Sequence, residues 1–491
     1  MSKQLKIVSI SAETAPFSKA GGLADVARSL PKAIKRLNHE IIAITPLHGV
    51  IDIKKHNLKK IGNDIPVKFD DKTIRKFDYY KGYLMPGLPI YFIDRVEYFS
   101  SKKTIYKSKR NNERWYFFDK CALELLKILK FSPDIIQCQD WHAGLIPYFL
   151  KKDYKEEKLF ANTASIFTIH NLAFQMEMTP GHHRKEDNGS SCLPSIRNEE
   201  EVRSINFAKR GILHADLINT VSEKYSKEIL TKEYGEDLHR ILENRKDKIF
   251  GIINGIDYNI FNPKKDPNIF KKYDENSIHR KNENKLALQK SFKLPQSQDI
   301  PLLGMVTRIT EQKGFDLLEE IAEDVLKHNI QFVITGTGAK KYENFFKKLA
   351  KKHPDKVAIN LKFDIKKASQ IYAASDIFVM PSRYEPCGLG QLISMRYGSI
   401  PVVRATGGLI DTVTDFNPET RQGNGFVFIG YDSKELLSAL IRAIENYKHK
   451  DDWKKLVKRA MKTSHSWEIP AKKYVEIFRK AIEFHKKNNH K

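Results

Sequence analysis

K-I-V-S-I-S-A-E-T-A-P-F-S-K-A-G-G-L-A-D-V-A-R-S-L, residues 6–30, contains the unit from which the rest of the chain is built. Residues 6–11 form a short β-rich run. From Gly22 to Leu37 the apolar residues Leu23, Val26, Ala27 and Leu30 fall at i, i+3, i+4 and i+7, the period of a helix with one buried face. The pattern is strand, loop, helix. It returns at I-I-A-I-T-P from 41, D-I-I-Q-C-Q from 134, S-I-F-T-I-H from 165 and D-L-I-N-T-V-S from 216. Such alternation predicts an α/β fold, a parallel sheet covered by helices on both faces.

A Lys- and Asn-rich, poorly apolar stretch from about 263 to 300 breaks the alternation and marks the neighbourhood of a domain boundary. P-L-L-G-M-V-T-R at 301–308 restarts it. Q-F-V-I-T-G-T-G from 331, K-V-A-I-N-L from 356, D-I-F-V-M-P from 376 and I-P-V-V-R from 400 follow, each before a helical pattern. Two doubly wound, Rossmann-like domains account for this order, and 491 residues is long for a single core. G-G-L-A-D-V at 21–26 and G-G-L-I-D-T-V at 407–413 echo each other, giving each half a Gly-Gly helix start.

Composition narrows the class. Hydrophobic residues at 41% and charged residues at 30% are globular proportions, and nowhere do 18 apolar residues run together. The N-terminal apolar run is too short for a signal segment, so a cytoplasmic protein is expected. Cys121, Cys138, Cys192 and Cys387 form no C-x-x-C pair and have no His at ligand spacing, which suggests neither a disulfide framework nor a metal site. The 85 Lys and Arg outnumber the 60 Asp and Glu, for a formal charge of +25. Solvated helix faces such as 340–352 and 446–458 account for much of that excess. A surface for polyanions is the other reading.

Several loops after strands carry chemistry, at the ends where doubly wound sheets bind ligands. In F-S-K-A-G-G-L-A-D-V, 17–26, paired glycines and a helix start offer N–H groups and partial positive charge, and Lys19 adds a full one. The same turn equally suits close packing. Q-D-W-H-A-G-L, 139–145, joins Asp140 to an indole and an imidazole, suited either to a sugar ring or to a capped turn with Trp141 and His142 in the core. His170 ends a strand, where its ring could meet a sugar hydroxyl and Asn171 could fix the loop, although a lone His there also suits a structural role. V-T-R-I-T-E-Q-K-G places Arg308 and Lys313 on one loop, either as an exposed surface pair or as converging cations. Fixed cations there would stabilise the charge that develops on a departing diphosphate more than the ground state. In D-I-F-V-M-P-S-R-Y-E-P-C-G-L-G-Q-L, 376–392, a strand delivers Glu385, which could bind donor-sugar hydroxyls or simply sit in a surface turn, and Gly388 would let backbone approach a ligand.

In order along the chain stand K-A-G-G-L-A-D-V, D-W-H-A-G, F-T-I-H-N-L-A-F-Q, I-N-G-I-D, K-x-x-N-K-x-x-L-Q at 281–289, R-I-T-E-Q-K-G, S-R-Y-E-P-C-G-L and A-T-G-G-L-x-D-T-V. This set resembles the bacterial glycogen (starch) synthases, from about residue 6 to 470. The resemblance implies a GT-B fold, two Rossmann-like domains facing a cleft that closes to assemble the site. The acceptor-side domain would be 1–252, with a C-terminal helix of about 467–491 crossing back onto it, and the nucleotide-sugar side 253–466. It implies transfer of glucose from ADP-glucose to the non-reducing end of an α-1,4-glucan such as glycogen, with retention and with no metal or other cofactor. His170, Arg308, Lys313 and Glu385 would be the catalytic residues. Lys19, Gly22, Arg308, Lys313, Gly407 and Gly408 would hold the diphosphate. His170, Asn254, Glu385, Cys387 and Gly388 would surround the donor glucose with Asp140 nearby, and Asp25, Asn171, Leu389 and Thr406 complete the substrate-binding set. Neither nucleic acid nor membrane is an expected partner.

The sequence departs from the family pattern in places. Residues 175–200 are unusually polar and lack the glycine common after Gln175, Gly390 replaces a usual Thr, and Phe363 stands where a Tyr beside the base is common. Two rivals share the fold: a retaining transferase building lipid or surface glycan from another nucleotide sugar, and a catalytically silent glycan-binding protein. Against the first, Ile393 occupies the position eight residues after Glu385 where those enzymes commonly carry a second Glu. Against the second, Lys19, His170, Arg308, Lys313 and Glu385 are all present.

Overall fold

The computed structural model describes residues 3–70, 72–106, 111–176, 202, 205–362 and 364–489. Most of the polar 175–200 segment, Cys192 and Phe363 lie outside the described residues. The chain divides into two compact units, Met1–Asn254 with Trp467–Lys491, and Gly255–Ser466.

The strands of the first unit are β1 (Lys6–Ser11), β2 (Glu40–Pro46), β3 (Lys59–Lys68), β4 (Ile74–Met85), β5 (Leu88–Asp94), β6 (Ile135–Gln139), β7 (Ala164–Ile169), β8 (Leu217–Thr220) and β9 (Ile249–Gly251). They form one sheet in the order β3-β4-β5-β2-β1-β6-β7-β8-β9. From β5 onward the neighbours are parallel, while β3–β4 and β4–β5 pair antiparallel. The apolar runs are continuous because both faces of the parallel strands are covered. On β1, Ile7 enters one core while Val8 and Ile10 enter the other; on β2, Ile41 and Ala43 separate from Ile42 and Ile44 in the same way. Helix α1 (Gly22–Arg36) covers the first face through Val26, Leu30 and Ile34. Helix α2 (Asn111–Ile128) covers the second through Trp115, Phe118 and Leu125.

The C-terminal helix, Glu468–Asn489, lies on the α1 face of this sheet. Trp467 and then Ala471, Tyr474, Phe478 and Ala481 recur at spacings of three and four, the stripe of a helix that buries one side. Among the described residues no helix is long and apolar enough to cross a membrane.

The second unit holds β10 (Leu302–Val306), β11 (Gln331–Thr335), β12 (Val357–Asn360), β13 (Ile377–Met380), β14 (Ile400–Arg404) and β15 (Phe426–Phe428), all parallel, in the order β12-β11-β10-β13-β14-β15. That is the 3-2-1-4-5-6 order of dinucleotide-binding sheets. The polar stretch 263–300 is not a linker. It belongs to this unit and is held by buried polar bonds together with Ile269, Leu288 and Leu294 in its hydrophobic clusters. Tyr273 donates its hydroxyl to Tyr397 O at 2.6 Å. On α3 (Lys281–Ser291), the Lys281 ammonium donates to Ala373 O at 2.8 Å and to Ser399 Oγ at 3.0 Å, and Lys285 pairs with Asp376 at 2.7 Å.

Candidate active site

Each sheet has a point where strand order reverses, between β1 and β6 in the first unit and between β10 and β13 in the second. Connections there leave in opposite directions and open a crevice at the carboxyl ends of the strands. K-A-G-G and Asp140 follow β1 and β6. Arg308–Lys313 and Ser382–Gly388 follow β10 and β13.

In the second unit, the Lys313 ammonium lies 2.5 Å from Glu385 Oε2, and the Ser382 hydroxyl donates to the same oxygen at 3.2 Å. Both members of this ion pair are largely buried, so its geometry is fixed by packing rather than by mobile surface chains. Arg308 is exposed, and its Nη2 lies 3.3 Å from Gln312 Oε1. Gln312 ties the two loops together, since Arg383 N donates to its backbone O at 2.9 Å. Gly314, at φ +76°, lets that loop pass Pro381, whose carbonyl oxygen would lie 2.1 Å from an added Cβ. The structure thus brings Arg308, Lys313 and Glu385 onto two joined loops.

Gly407 and Gly408 allow a close backbone approach to the loop that carries Glu385. Gly408 N donates to Glu385 O at 3.1 Å, and an added Cβ there would stand 2.2 Å from Cys387 O. The pair lets α5 (Gly407–Thr412), which follows Thr406, lie directly on the loop bearing Glu385 and Cys387. Gly388 has φ +72°, and Leu389 leads into α4 (Gly390–Arg396). At Gly390 a Cβ would stand 3.1 Å from Met380 Sδ, so Met380 fills the space a larger residue would take. Ile393 is buried in the core of this unit.

In the first unit, Lys19 donates to both Asp25 oxygens, at 2.8 and 2.7 Å, so Asp25 tethers the cation beside the start of α1. Glu13, which sequence reading passed over, accepts from Ala20 N and, at 3.2 Å, from Gly21 N, the residue that caps α1 just before Gly22. A carboxylate two residues past a strand is a faint signal, because its partners lie seven and eight residues on.

Asp140 has φ +64° and ψ 176°, a region that side-chain-bearing residues avoid. Its backbone is pinned by N–H donation to Thr168 O at 2.8 Å. Burial first, opposed by the N–H groups of Trp141 and His170, and then the nearby Glu13 charge push its carboxyl up to about 8. Burial pushes His170 down to about 3, so its ring is neutral at pH 7. Its Nε2 pairs with Gln139 Oε1 at 2.7 Å, which makes Nε2 the donor and Nδ1 the acceptor. Asn171 Oδ1 accepts from Ala173 N at 3.1 Å and fixes its own turn. Trp141 and His142 are buried in the core: their rings stack on each other at 4.0 Å, and both meet Trp115 edge-on. Asn254 is buried, with an Oδ1 that has no partner among the described residues.

The chain is similar to known proteins over nearly its whole length. Residues 6–244 match the family model of the starch synthase catalytic domain, and residues 288–460 that of group 1 glycosyl transferases. A glycogen synthase from Thermosipho melanesiensis is 45% identical over 97% of this chain and 99% of its own, and one from Thermotoga maritima is 42% identical over the same shares. The catalytic domain of starch synthase IV from Arabidopsis thaliana, solved bound to ADP and acarbose, superposes with a TM-score of 0.87 at 31% identity, covering 98% of this chain and all of that one. A sucrose-phosphate synthase from Thermosynechococcus elongatus, at TM-score 0.61 and 17% identity over 97% of this chain and 99% of that one, shares the fold. Likeness over the full length of both units, with the charged loops at both sheet reversals, means that this chain belongs to the glycogen and starch synthase family of GT-B glycosyltransferases.

Proposed function

We propose that this glycogen synthase uses ADP-glucose as its donor and extends an α-1,4-glucan at the non-reducing 4-hydroxyl with net retention, and that the residues above carry the reaction. The observation that supports this most is the buried Lys313–Glu385 pair joined through Gln312 to Arg308. In this reading the bond from C1 to the diphosphate oxygen breaks as the bond from C1 to the acceptor O4 forms on the same face. The acceptor proton passes to the departing diphosphate oxygen. Lys313 and Arg308 face the charge that accumulates on the diphosphate, where preorganised cations are most effective. Glu385, oriented by Lys313 and Ser382, accepts hydrogen bonds from donor hydroxyls, with Cys387, Gly388 and Leu389 shaping the backbone beside it.

Neutral His170 offers Nδ1 to a sugar hydroxyl, with Asn171 holding its turn. Asp140 and Asn254 lie on the glucose side. In the first unit Lys19, tethered by Asp25, and Gly22 are the residues for the diphosphate; in the second they are Thr406, Gly407 and Gly408. The Arabidopsis enzyme binds ADP, which favours an adenine nucleotide donor for this relative.

The test is glucose incorporation into glycogen from ADP-glucose and UDP-glucose in parallel, with an Arg308→Ala, Lys313→Ala double variant. The expected result is faster transfer from ADP-glucose, lost by at least about a hundredfold in the variant. Faster transfer from UDP-glucose would overturn the donor assignment. Undiminished turnover in the variant would overturn the role of the cations.

A further inference from the structure

In the first unit the positive groups of K-A-G-G already face carboxylates of the same chain. Lys19 lies on Asp25. The Ala20 and Gly21 N–H groups are taken by Glu13, whose side chain is almost wholly buried. The next N–H groups, at Gly22 and Leu23, begin the first turn of α1, which has no intrahelical acceptors and carries the positive end of the helix dipole. Glu13 therefore shapes the loop from behind and places a charge close to where an incoming anion would sit.

We propose that Glu13 is a positioning residue for the donor diphosphate, holding the K-A-G-G loop open toward it and taking up a proton as the diphosphate binds. The inference rests on the proposed reading that this loop meets the diphosphate. The proton comes from solvent and ends on a Glu13 carboxyl oxygen, while the other oxygen still accepts an N–H of the loop.

The surroundings suit such a step. Tyr106 hydrogen-bonds to Glu13, and Asp25 on α1 and Asp140 after β6 are both close enough to act on it or its neighbours. Arg114 on α2 acts on Tyr106, and His48 after β2 is bound to Ala12 O at 2.7 Å, one residue from Glu13. Burial first, opposed by the loop N–H groups and Tyr106, with Asp25 adding to it, pushes the Glu13 carboxyl up to about 7. A second anion beside it favours the protonated form further, so ADP affinity falls as pH rises above 7.

The experiment is calorimetric titration of the full chain with ADP at pH 7.5, in two buffers of different ionisation enthalpy, for the wild type and Glu13→Gln. For a rise of one pKa unit on binding, the wild type should take up about half a proton more than the variant. The difference between the two proteins cancels the protonation of ADP itself. Should Glu13→Gln fold poorly, the wild type alone suffices, because its ADP affinity should weaken several-fold between pH 7.5 and 9. Equal proton uptake in both proteins, or a flat wild-type affinity over that range, overturns the inference while leaving the donor site standing. Failure of the wild type to bind ADP at all overturns the donor reading and this inference with it.

Discussion

Asp140 concentrates two unfavourable features in one residue. Its backbone occupies a glycine-only region, and its carboxyl is buried beside another acid. Strain of this kind is worth about 1–3 kcal/mol and persists where the surroundings enforce it, which is typical of functional sites. Asp140→Ala removes the carboxyl but keeps the strain, whereas Asp140→Gly removes both. The glycine variant should therefore be about 1–3 kcal/mol more stable than the alanine variant in denaturant unfolding, while both lose glucose transfer. Equal stability of the two variants would mean that the backbone is unstrained, and full transfer in either would remove Asp140 from the site. The charged residues Lys19, Arg308, Lys313 and Glu385 were legible in sequence because each follows an apolar run and has little other use there. Glu13 and Gln312 were not, since their work is done through backbone groups on neighbouring loops. Gly407 and Gly408 were legible as special positions, but only the fold shows that the space they provide is filled by Glu385–Cys387.

The C-terminal helix is fastened to the first unit by packing, by a Lys473–Glu223 ion pair and by a contact of His485. His485 Nδ1 lies 3.3 Å from Asp216 Oδ2, and Asp216 also accepts from Ser165 N at 2.8 Å. The bond to Asp216 is the main cause that raises His485 above its ordinary value. Burial alone would raise Asp216, but His485, Lys151 and Ser165 together hold it below the usual carboxylate range. A raised histidine contributes stability that is fully present below its unfolded value of about 6.5 and is lost as pH rises through its folded value. His485→Gln should therefore melt about 2–4 °C below the wild type at pH 6, with the gap closing by pH 9. A gap that stays constant across that range would show that the imidazole acts through packing alone. Among the elements, the parallel strands were readable because both faces are apolar. The antiparallel additions β3 and β4 were not. Lys59, Lys60, Pro66 and two register shifts give β3 the irregular polar edge that discourages pairing with other chains, and the same features erase its alternation. The stretch 263–300 misled for a related reason, because Lys281 and Lys285 are buried by their hydrogen bonds and look like surface residues in sequence.

Across the whole molecule, the chain leaves the first unit at Asn254, builds the second, and returns at Trp467. Alternation alone could predict two doubly wound sheets, but not which strands are neighbours, since β1 pairs with β6 across more than a hundred residues. The return has an energetic consequence. Trp467, Tyr474 and Phe478 are buried against α1 and the sheet of the first unit, and full burial of such side chains is worth about 1.5–3 kcal/mol each. With Ala471, Ile477 and Ala481 added, their removal takes away an amount comparable to the 5–15 kcal/mol by which a domain is stable at all. The second unit has its own core, drawn wholly from residues 256–461. Deleting 467–491 should therefore abolish the melting transition of the first unit while a cooperative transition of the second survives near its original temperature. Scanning calorimetry of the full-length and truncated chains, with hydrogen exchange to assign each transition, makes the distinction. Equal destabilisation of both units would show that they fold as one cooperative body. An unchanged first transition would show that the C-terminal helix is bound without being needed.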